Sequence, residues 1–236
     1  MTVTSSESGS QLGRPVGASG EQTRRRIITA AMRCVAEVGY SKATIREIAR
    51  AADMTSGSLY HYFPNKSELL KATGEEIEEI VLPRLRAAAA KSDNVVDRLD
   101  AVLDESKRLI RDYPYLAAFL RAIRAQSTAR LRHGSPNYPG SKALRVVVNE
   151  IILDARAQGA LSPDSDEGAA VEAICALTRG LSERAASLPA EAYDTTLDSA
   201  KQLIRGTLFA RRKHTPMKRR WVAQAPEQRR DPHPSS

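Results

Sequence analysis

The 236-residue sequence predicts an all-α chain: an N-terminal three-helix unit with helix-turn-helix spacing, followed by a larger helical domain. Three observations carry this. From Thr23 to about Phe209, apolar residues recur at three- and four-residue spacing, the period of an amphipathic helix. No stretch alternates apolar and polar residues as a half-buried strand does. Gly, Pro and Asn/Asp clusters, which interrupt helices, separate the runs.

Residues 1–20 are Ser- and Gly-rich, with low apolar content, and read as disordered. The first helix is expected from about Glu21 to Val38, with Ile27, Ala31, Cys34, Val35 and Val38 on one stripe and Gly39 as its left-handed stop. The second starts at Thr44, where Thr44-x-x-Glu47 has the capping-box form. Its inner face is Ile45, Ile48, Ala49 and Ala52. After the turn Asp53-Met54, Thr55 caps a short third helix that includes Leu59, Tyr60 and Phe63. Pro64 disfavours helix at the residue before it. Asn65-x-x-Glu68 then opens a long helix to about Leu82, stopped or kinked at Pro83. Further helices are expected near 94–112, 114–131, 141–158, 166–188 and 190–210, with breaks at Tyr113-Pro114, His133 to Gly140, Gly159 to Asp166 and Leu188-Pro189. From 211 to 236 the chain is rich in Arg, Pro and Gln and reads as a basic disordered tail.

The net charge of +8 is unevenly placed: +4 over residues 1–66, −2 over 67–210 and +6 over 211–236. Basic ends around a near-neutral middle suit a polyanionic partner. No apolar run approaches the roughly 18–20 residues of a membrane span, and the first twenty residues lack the apolar core of a signal peptide. A cytoplasmic chain with two buried, reduced thiols, Cys34 and Cys175, is the expectation. No phosphate-binding loop, His-Glu-x-x-His or Gly-x-Ser-x-Gly pattern is present, so nothing points to an enzyme, and no metal or cofactor is expected.

In a helix-turn-helix, one helix crosses the DNA backbone and braces a second, whose N-terminal residues face base edges in the major groove. Such a reading helix needs small and polar residues at its start and apolar anchors further on. Thr55-Ser56-Gly57-Ser58-Leu59-Tyr60-His61-Tyr62-Phe63 has that order. Ser56, Gly57 and Ser58 allow close approach, Leu59 and Phe63 face inward, and Tyr60, His61 and Tyr62 point outward. Lys66, with the N–H groups opening the next helix, makes a phosphate site. Plainer readings stand beside these. Tyr60 and Tyr62 are core-edge aromatics, His61 is a solvated side chain, and Arg24, Arg25 and Arg26 are a solvated face rather than a basic arm on DNA.

Ala43-Thr44-Ile45-Arg46-Glu47-Ile48-Ala49, followed by the run from Gly57 through Tyr60-His61-Tyr62-Phe63-Pro64-Asn65-Lys66 to Leu70, resembles the N-terminal domain of the tetracycline-repressor (TetR) family. Ala30-Ala31 and Val38-Gly39-Tyr40 fit the same pattern, so the likeness covers about 23–70. It implies a homodimeric, ligand-responsive regulator of double-stranded DNA, most naturally a repressor on a palindromic operator. It also implies roles. Thr44 is a phosphate-contacting cap, and Arg46 reaches a base or phosphate. Ser56, Gly57 and Ser58 begin the reading helix, Tyr60 and Tyr62 touch backbone and bases, and Lys66 touches a phosphate. One departure stands out: Asp53 occupies a turn position where the family usually has Gly. Asp tolerates a left-handed backbone better than most residues.

In the larger domain, Leu103, Leu116, Phe119, Leu120, Ile123, Val147 and Ile151 are candidates to line an effector pocket, or else simply core. With 5% aromatic residues and few polar positions on these faces, an apolar or amphipathic effector, such as a fatty acyl compound, is expected. The stripes Val171, Ile174, Leu177 or Thr178, Leu181 and Leu197, Ala200, Leu203, Ile204, Leu208 mark the last two helices as a four-helix dimer seam, as their own core, or both. The run Glu75-Glu76-x-Glu78-Glu79 reads as a solvated acidic face, and Lys218-Arg219-Arg220-Trp221 as either a nonspecific DNA grip or a solvated extension. A DNA-packaging protein without sequence preference is the alternative function that the basic ends suggest.

Overall fold

A computed structural model describes residues 16–130 and 141–209, with side chains over 20–126 and 142–209. The described residues form nine helices and no strand. In order they are α1 (Val16–Val38), α2 (Ile45–Ala51), α3 (Ser56–Tyr60), α4 (Lys66–Ala89), α5 (Val95–Asp112), α6 (Leu116–Arg130), α7 (Ser141–Ala157), α8 (Glu167–Ala185) and α9 (Ala190–Arg205). The expectations for residues 1–15, 131–140 and 211–236, including the Lys218 to Trp221 cluster, lie outside this range.

Local signals set most boundaries. The Thr44 hydroxyl accepts from the Glu47 N–H at 3.2 Å, while the Glu47 carboxylate accepts from the Thr44 N–H at 2.9 Å. Thr55 and Asn65 cap α3 and α4 through the Ser58 and Glu68 N–H groups at 3.1 and 2.9 Å. Gly39 closes α1 at φ 84°, and Asp53 carries the turn before α3 at φ 53°. Asp53 is thus the left-handed residue that the family's glycine would be.

Three boundaries differ from expectation. The first helix begins at Val16 rather than near Glu21, because extending a formed helix adds a hydrogen bond per residue without a new nucleation step. α3 ends at Tyr60, so Phe63 lies beyond it, although its N–H still donates to the Leu59 carbonyl at 3.0 Å. α4 is not stopped at Pro83 but continues to Ala89. Val81, Leu85, Ala88 and Ala89 are buried on either side of the proline, and their packing outweighs the missing N–H.

α1 packs on α2, α4 and α6, and α4 packs on α5 and α7. One continuous core joins Ile27, Ala31 and Val35 of α1 to Ile48, Leu59, Leu69, Phe119, Val147 and Ile151. α4 starts at Lys66, where the helix-turn-helix unit was expected to end, and this core draws residues from both sides of that point. A second core, Leu103, Leu181, Tyr193, Leu197 and Ala200, holds α9 against α5 and α8. There Arg205 also grips Asp100 and Asp97 of α5, each at 2.8 Å. A third, Val148, Ile152, Val171 and Cys175, joins α7 to α8. Cys34 and Cys175 are both free and buried, and burial raises the pKa of each thiol.

Candidate nucleic-acid interface

The unit α1–α3 presents its inner face to the core and leaves a polar, aromatic ridge outside. Leu59 is fully buried and Phe63 nearly so; they hold α3 from beneath. Arg24 of α1 stacks on the Phe63 ring at 5.6 Å and reaches Glu76 of α4 at 3.7 Å. Arg25 pairs with Glu21 at 3.2 Å and lies 3.9 Å from Glu76. Arg24 thus ties α1 to Phe63 and to α4, while Arg25 stays largely exposed with Glu76 of the acidic run near it.

The predicted reading residues lie together on the outer face. Thr44, Arg46, Thr55, Gly57, Tyr60, His61 and Tyr62 are exposed, and Ser56 and Ser58 are half-buried. Tyr60 is 52% exposed and Tyr62 38%, which leaves much of each ring open to a partner. The Thr55 and Ser58 hydroxyls lie 2.9 Å apart and share a hydrogen bond. A side chain added at Gly57 would meet only the Thr55 hydroxyl, at 3.8 Å. Internal packing therefore does not require glycine there.

Lys66 is placed differently from its neighbours. Its ammonium donates to the Tyr40 main-chain carbonyl and sits 4.6 Å from the centre of the Tyr40 ring. Burial lowers the pKa of this ammonium, opposed by the nearby Glu47 carboxylate. This partner lies 26 residues back in the chain, and no local spacing signals it.

Hydrogen bonds from the Thr44 main chain and then its hydroxyl lower the Glu47 pKa below the usual glutamate value. A group depressed in the folded state contributes stability above its unfolded pKa and loses it as pH falls through the folded value. Thr44→Ala removes the hydroxyl that caps α2 and is expected to destabilise it by about 1 kcal/mol, checked by urea denaturation at neutral pH. The difference from wild type should shrink as pH drops below the ordinary glutamate range. A difference that does not change with pH would separate Glu47 from the cap.

The candidate effector residues divide. Leu116, Phe119, Ile123, Val147 and Ile151 meet in the main core with Leu120 packed against it, but Leu103 belongs to the α9 core. Leu103 therefore does not join the group: its face of α5 turns toward α8 and α9. A cavity of about 20 Å³ beside Leu116 is lined by Met32, Glu76, Ile77, Ile80, Val81 and Tyr113, where α1, α4 and the α5–α6 corner meet.

The last two helices also redistribute the expected stripes. Val171, Thr178, Leu181, Leu197 and Ala200 are buried within the chain, and Ile174, Leu177 and Ile204 are partly buried against those cores. Leu203 and Leu208 remain 49% and 38% exposed. The open face of α8 carries Ala169, Ala173, Ala176 and Gly180.

Among the described residues no helix is long and apolar enough to cross a membrane. Residues 27–73 match the bacterial regulatory proteins of the tetR family. The HTH-type transcriptional regulator CymR of Pseudomonas putida is 30% identical over 146 residues, 62% of this chain and 71% of CymR. The HTH-type transcriptional repressor KstR of Mycolicibacterium smegmatis is 33% identical over 123 residues, 51% of this chain and 56% of KstR. Among solved structures, the regulator FadR from Bacillus subtilis in complex with stearoyl-CoA superposes with a TM-score of 0.64 at 18% identity, covering 78% of this chain and 99% of that one. At that identity the likeness is one of fold. With its helix-turn-helix ridge, its all-helical body and a relative matched over most of its length, the chain belongs to the TetR family of bacterial transcriptional regulators, which are not enzymes.

Proposed function

We propose that the chain is a ligand-responsive repressor that binds a palindromic operator as a homodimer and is released by an apolar or amphipathic effector. The observation that carries the DNA-reading part is the outer ridge of α3. Gly57 is exposed where an added methyl group would fit internally. A helical glycine costs roughly 0.5–1 kcal/mol relative to alanine, so its bare backbone serves a partner outside the fold. Thr44, Arg46, Thr55, Ser56, Ser58, Tyr60, His61 and Tyr62 surround it and supply phosphate and base-edge contacts.

The exposed small residues of α8 and the exposed Leu203 of α9 support dimerisation through these two helices, since small side chains let helix axes approach closely. Two reading helices about one DNA turn apart then match a palindrome. On the effector side, the gap beside Leu116 holds no more than a water. An effector entering there displaces α6, which packs on α1. Release follows if the displaced state has the lower affinity for the operator. FadR of Bacillus subtilis, which shares this fold, forms a complex with an amphipathic ligand, stearoyl-CoA, and this supports the effector class proposed.

A duplex selected by the chain from a random pool and a scrambled duplex, compared across a salt series, test the reading. Specific binding should exceed nonspecific by roughly 10³ or more, with two chains per site. Equal affinity with a steep salt slope would make the chain a nonspecific DNA binder. In the same assay Gly57→Ala is expected to weaken the selected duplex at least tenfold while leaving the free chain equally or more stable, by up to about 1 kcal/mol. Undiminished binding would remove α3 from the interface.

A further inference from the structure

Eight large apolar side chains stay exposed among the described residues. Tyr60 and Tyr62 belong to the reading ridge, but Leu153, Leu203, Leu208 and Phe209 gather at the opposite end of the body. Ion pairs fix that end. Arg205, the last residue of α9, reaches Asp97 in the first turn of α5 at 2.8 Å. Arg98, beside Asp97, pairs with Asp154 in the last turn of α7 at 2.8 Å. Arg156 pairs with Glu167, the first residue of α8, at 2.8 Å. α4 leaves the helix-turn-helix unit at Lys66 and ends at Ala89, shortly before α5, and its 24 residues span about 36 Å. The ends of α7 and α9 and the starts of α5 and α8 therefore meet far from α3.

Two complementary features lie there. One is a projection. Gly206 stops α9 with a left-handed backbone, φ 68°, and the N–H groups of Thr207 and Leu208 both donate to the Gln202 carbonyl, at 2.8 and 3.2 Å. This hydrogen-bonded stop turns the chain and presents Leu208 and Phe209, the latter 76% exposed, beyond Leu203. The other is a groove of about 460 Å³ between α7 and α8. It is lined by Val146, Asn149 and Glu150 of α7 and by Gly168, Val171 and Glu172 of α8, with Arg145 completing the lining. Leu153, seven residues on from Val146, continues the α7 wall. Both carboxylates of the lining are already paired, Glu150 with Arg86 and Glu172 with Arg145. What the groove leaves open to an occupant is its apolar floor.

A dimer that reads a palindrome sets both reading ridges against the same DNA. Its two-fold axis then runs along the body, and the far end of one copy meets the far end of the other. The groove adjoins Ala169, the first of the small residues on the open face of α8, and the projection continues the exposed edge of α9 from Leu203.

We propose that Leu208 and Phe209 of each copy seat in the α7–α8 groove of a second copy of this chain, locking the dimer at the end away from DNA by a reciprocal exchange. The contact is isologous: each copy offers one projection and one groove, and symmetry fills both. An aromatic anchor in a pocket is the kind of contact that carries most of an interface's affinity. The proposal rests on the homodimer reading. It adds to the pairing of α8 and α9 a surface on α7 and two side chains beyond the last helix.

The test has two arms, run on the full chain. Sedimentation equilibrium compares wild type with Phe209→Ser and Val146→Glu. Each should raise the dimer dissociation constant about a hundredfold, roughly tenfold for each of the two seats that symmetry removes together. The combined variant should be little weaker than either single one, because the two residues share one contact. Helical circular dichroism should not change, and if Val146→Glu loses it, Val146→Ser takes its place. In the second arm, copies carrying only Phe209→Cys are co-expressed with copies carrying only Val146→Cys and treated with a short bismaleimide. Cys34 and Cys175 are buried and serve as the background. Covalent dimers should form in the mixture and not in either variant alone. A Phe209→Ser dimer as tight as wild type, or no covalent dimer in the mixture, would overturn the proposal. So would a link within one chain when both cysteines are placed together, which would make the groove a seat for that chain's own end. A wild-type chain that stays monomeric at every concentration would instead bring down the homodimer reading itself, and the seat with it.

Discussion

Phe119→Ala should lower the unfolding free energy by about 3–5 kcal/mol, the usual cost of removing a fully buried aromatic ring. Phe119 has no exposed surface and sits in the core that α1, α4, α6 and α7 share. Its neighbours there are rigid helices rather than loops, so the void is not easily closed. At about 2–4 °C per kcal/mol for a chain of this size, the melting temperature should fall by roughly 6–20 °C. Thermal unfolding at fixed protein concentration checks it, because a dimer's midpoint depends on concentration. The loss should appear as a single transition, since the ring touches a core that spans the DNA-binding unit and the body. A variant in which only α1–α3 melted would show that the two parts hold separate cores. Phe119→Leu, which refills part of the volume, should lose markedly less.

Leu59→Ala is expected to cost about 2–5 kcal/mol and to weaken binding to the selected duplex by more than its effect on stability explains. α3 has five residues and Leu59 is the one buried among them. Such a short helix has little cooperativity of its own, and its orientation depends on that anchor. Truncation should loosen the ridge of Tyr60, His61 and Tyr62 even at temperatures where the rest of the chain stays folded. Affinity for the selected duplex should then drop at least a hundredfold, well beyond the fraction unfolded. Leu59→Met conserves volume and should cost less than about 1.5 kcal/mol with binding retained. Equal DNA affinity in Leu59→Ala and wild type, measured where both are folded, would dissociate the anchor from the reading face.

How much the residues alone reveal depends on how far away their partners lie. Thr44, Thr55 and Asn65 each cap an N–H three residues ahead, and such contacts are written in local spacing. The turn residue Asp53 can be placed for the same reason, since only a few side chains accept its backbone angle. Pro83 misleads because its effect is local while the packing of Val81, Leu85, Ala88 and Ala89 that overrides it is not. Leu103 groups with Phe119 in the sequence because both lie on apolar helical faces, yet the two faces point at different neighbours. The stripes of α8 and α9 match either a partner or their own core, and most of those residues turn inward. For Lys66, chemistry and position both suit an anion, and the Tyr40 carbonyl that holds it comes within reach only once the chain is folded.

The packing of α1 on α6, with Ser41 reaching Gln126 at 3.3 Å, limits how this chain can be recombined. A chimera joined at Asn65 would carry the reading helix of one regulator onto the body of another, but it would also bring Ile27, Ala31 and Val35 against a foreign α6. To keep its solubility and its response to effector, such a graft must carry α6 along with the first sixty-odd residues, or redesign the seam between them. Under the function proposed above, operator preference and effector response would pass through this one shared surface, so the two would not be independently exchangeable parts.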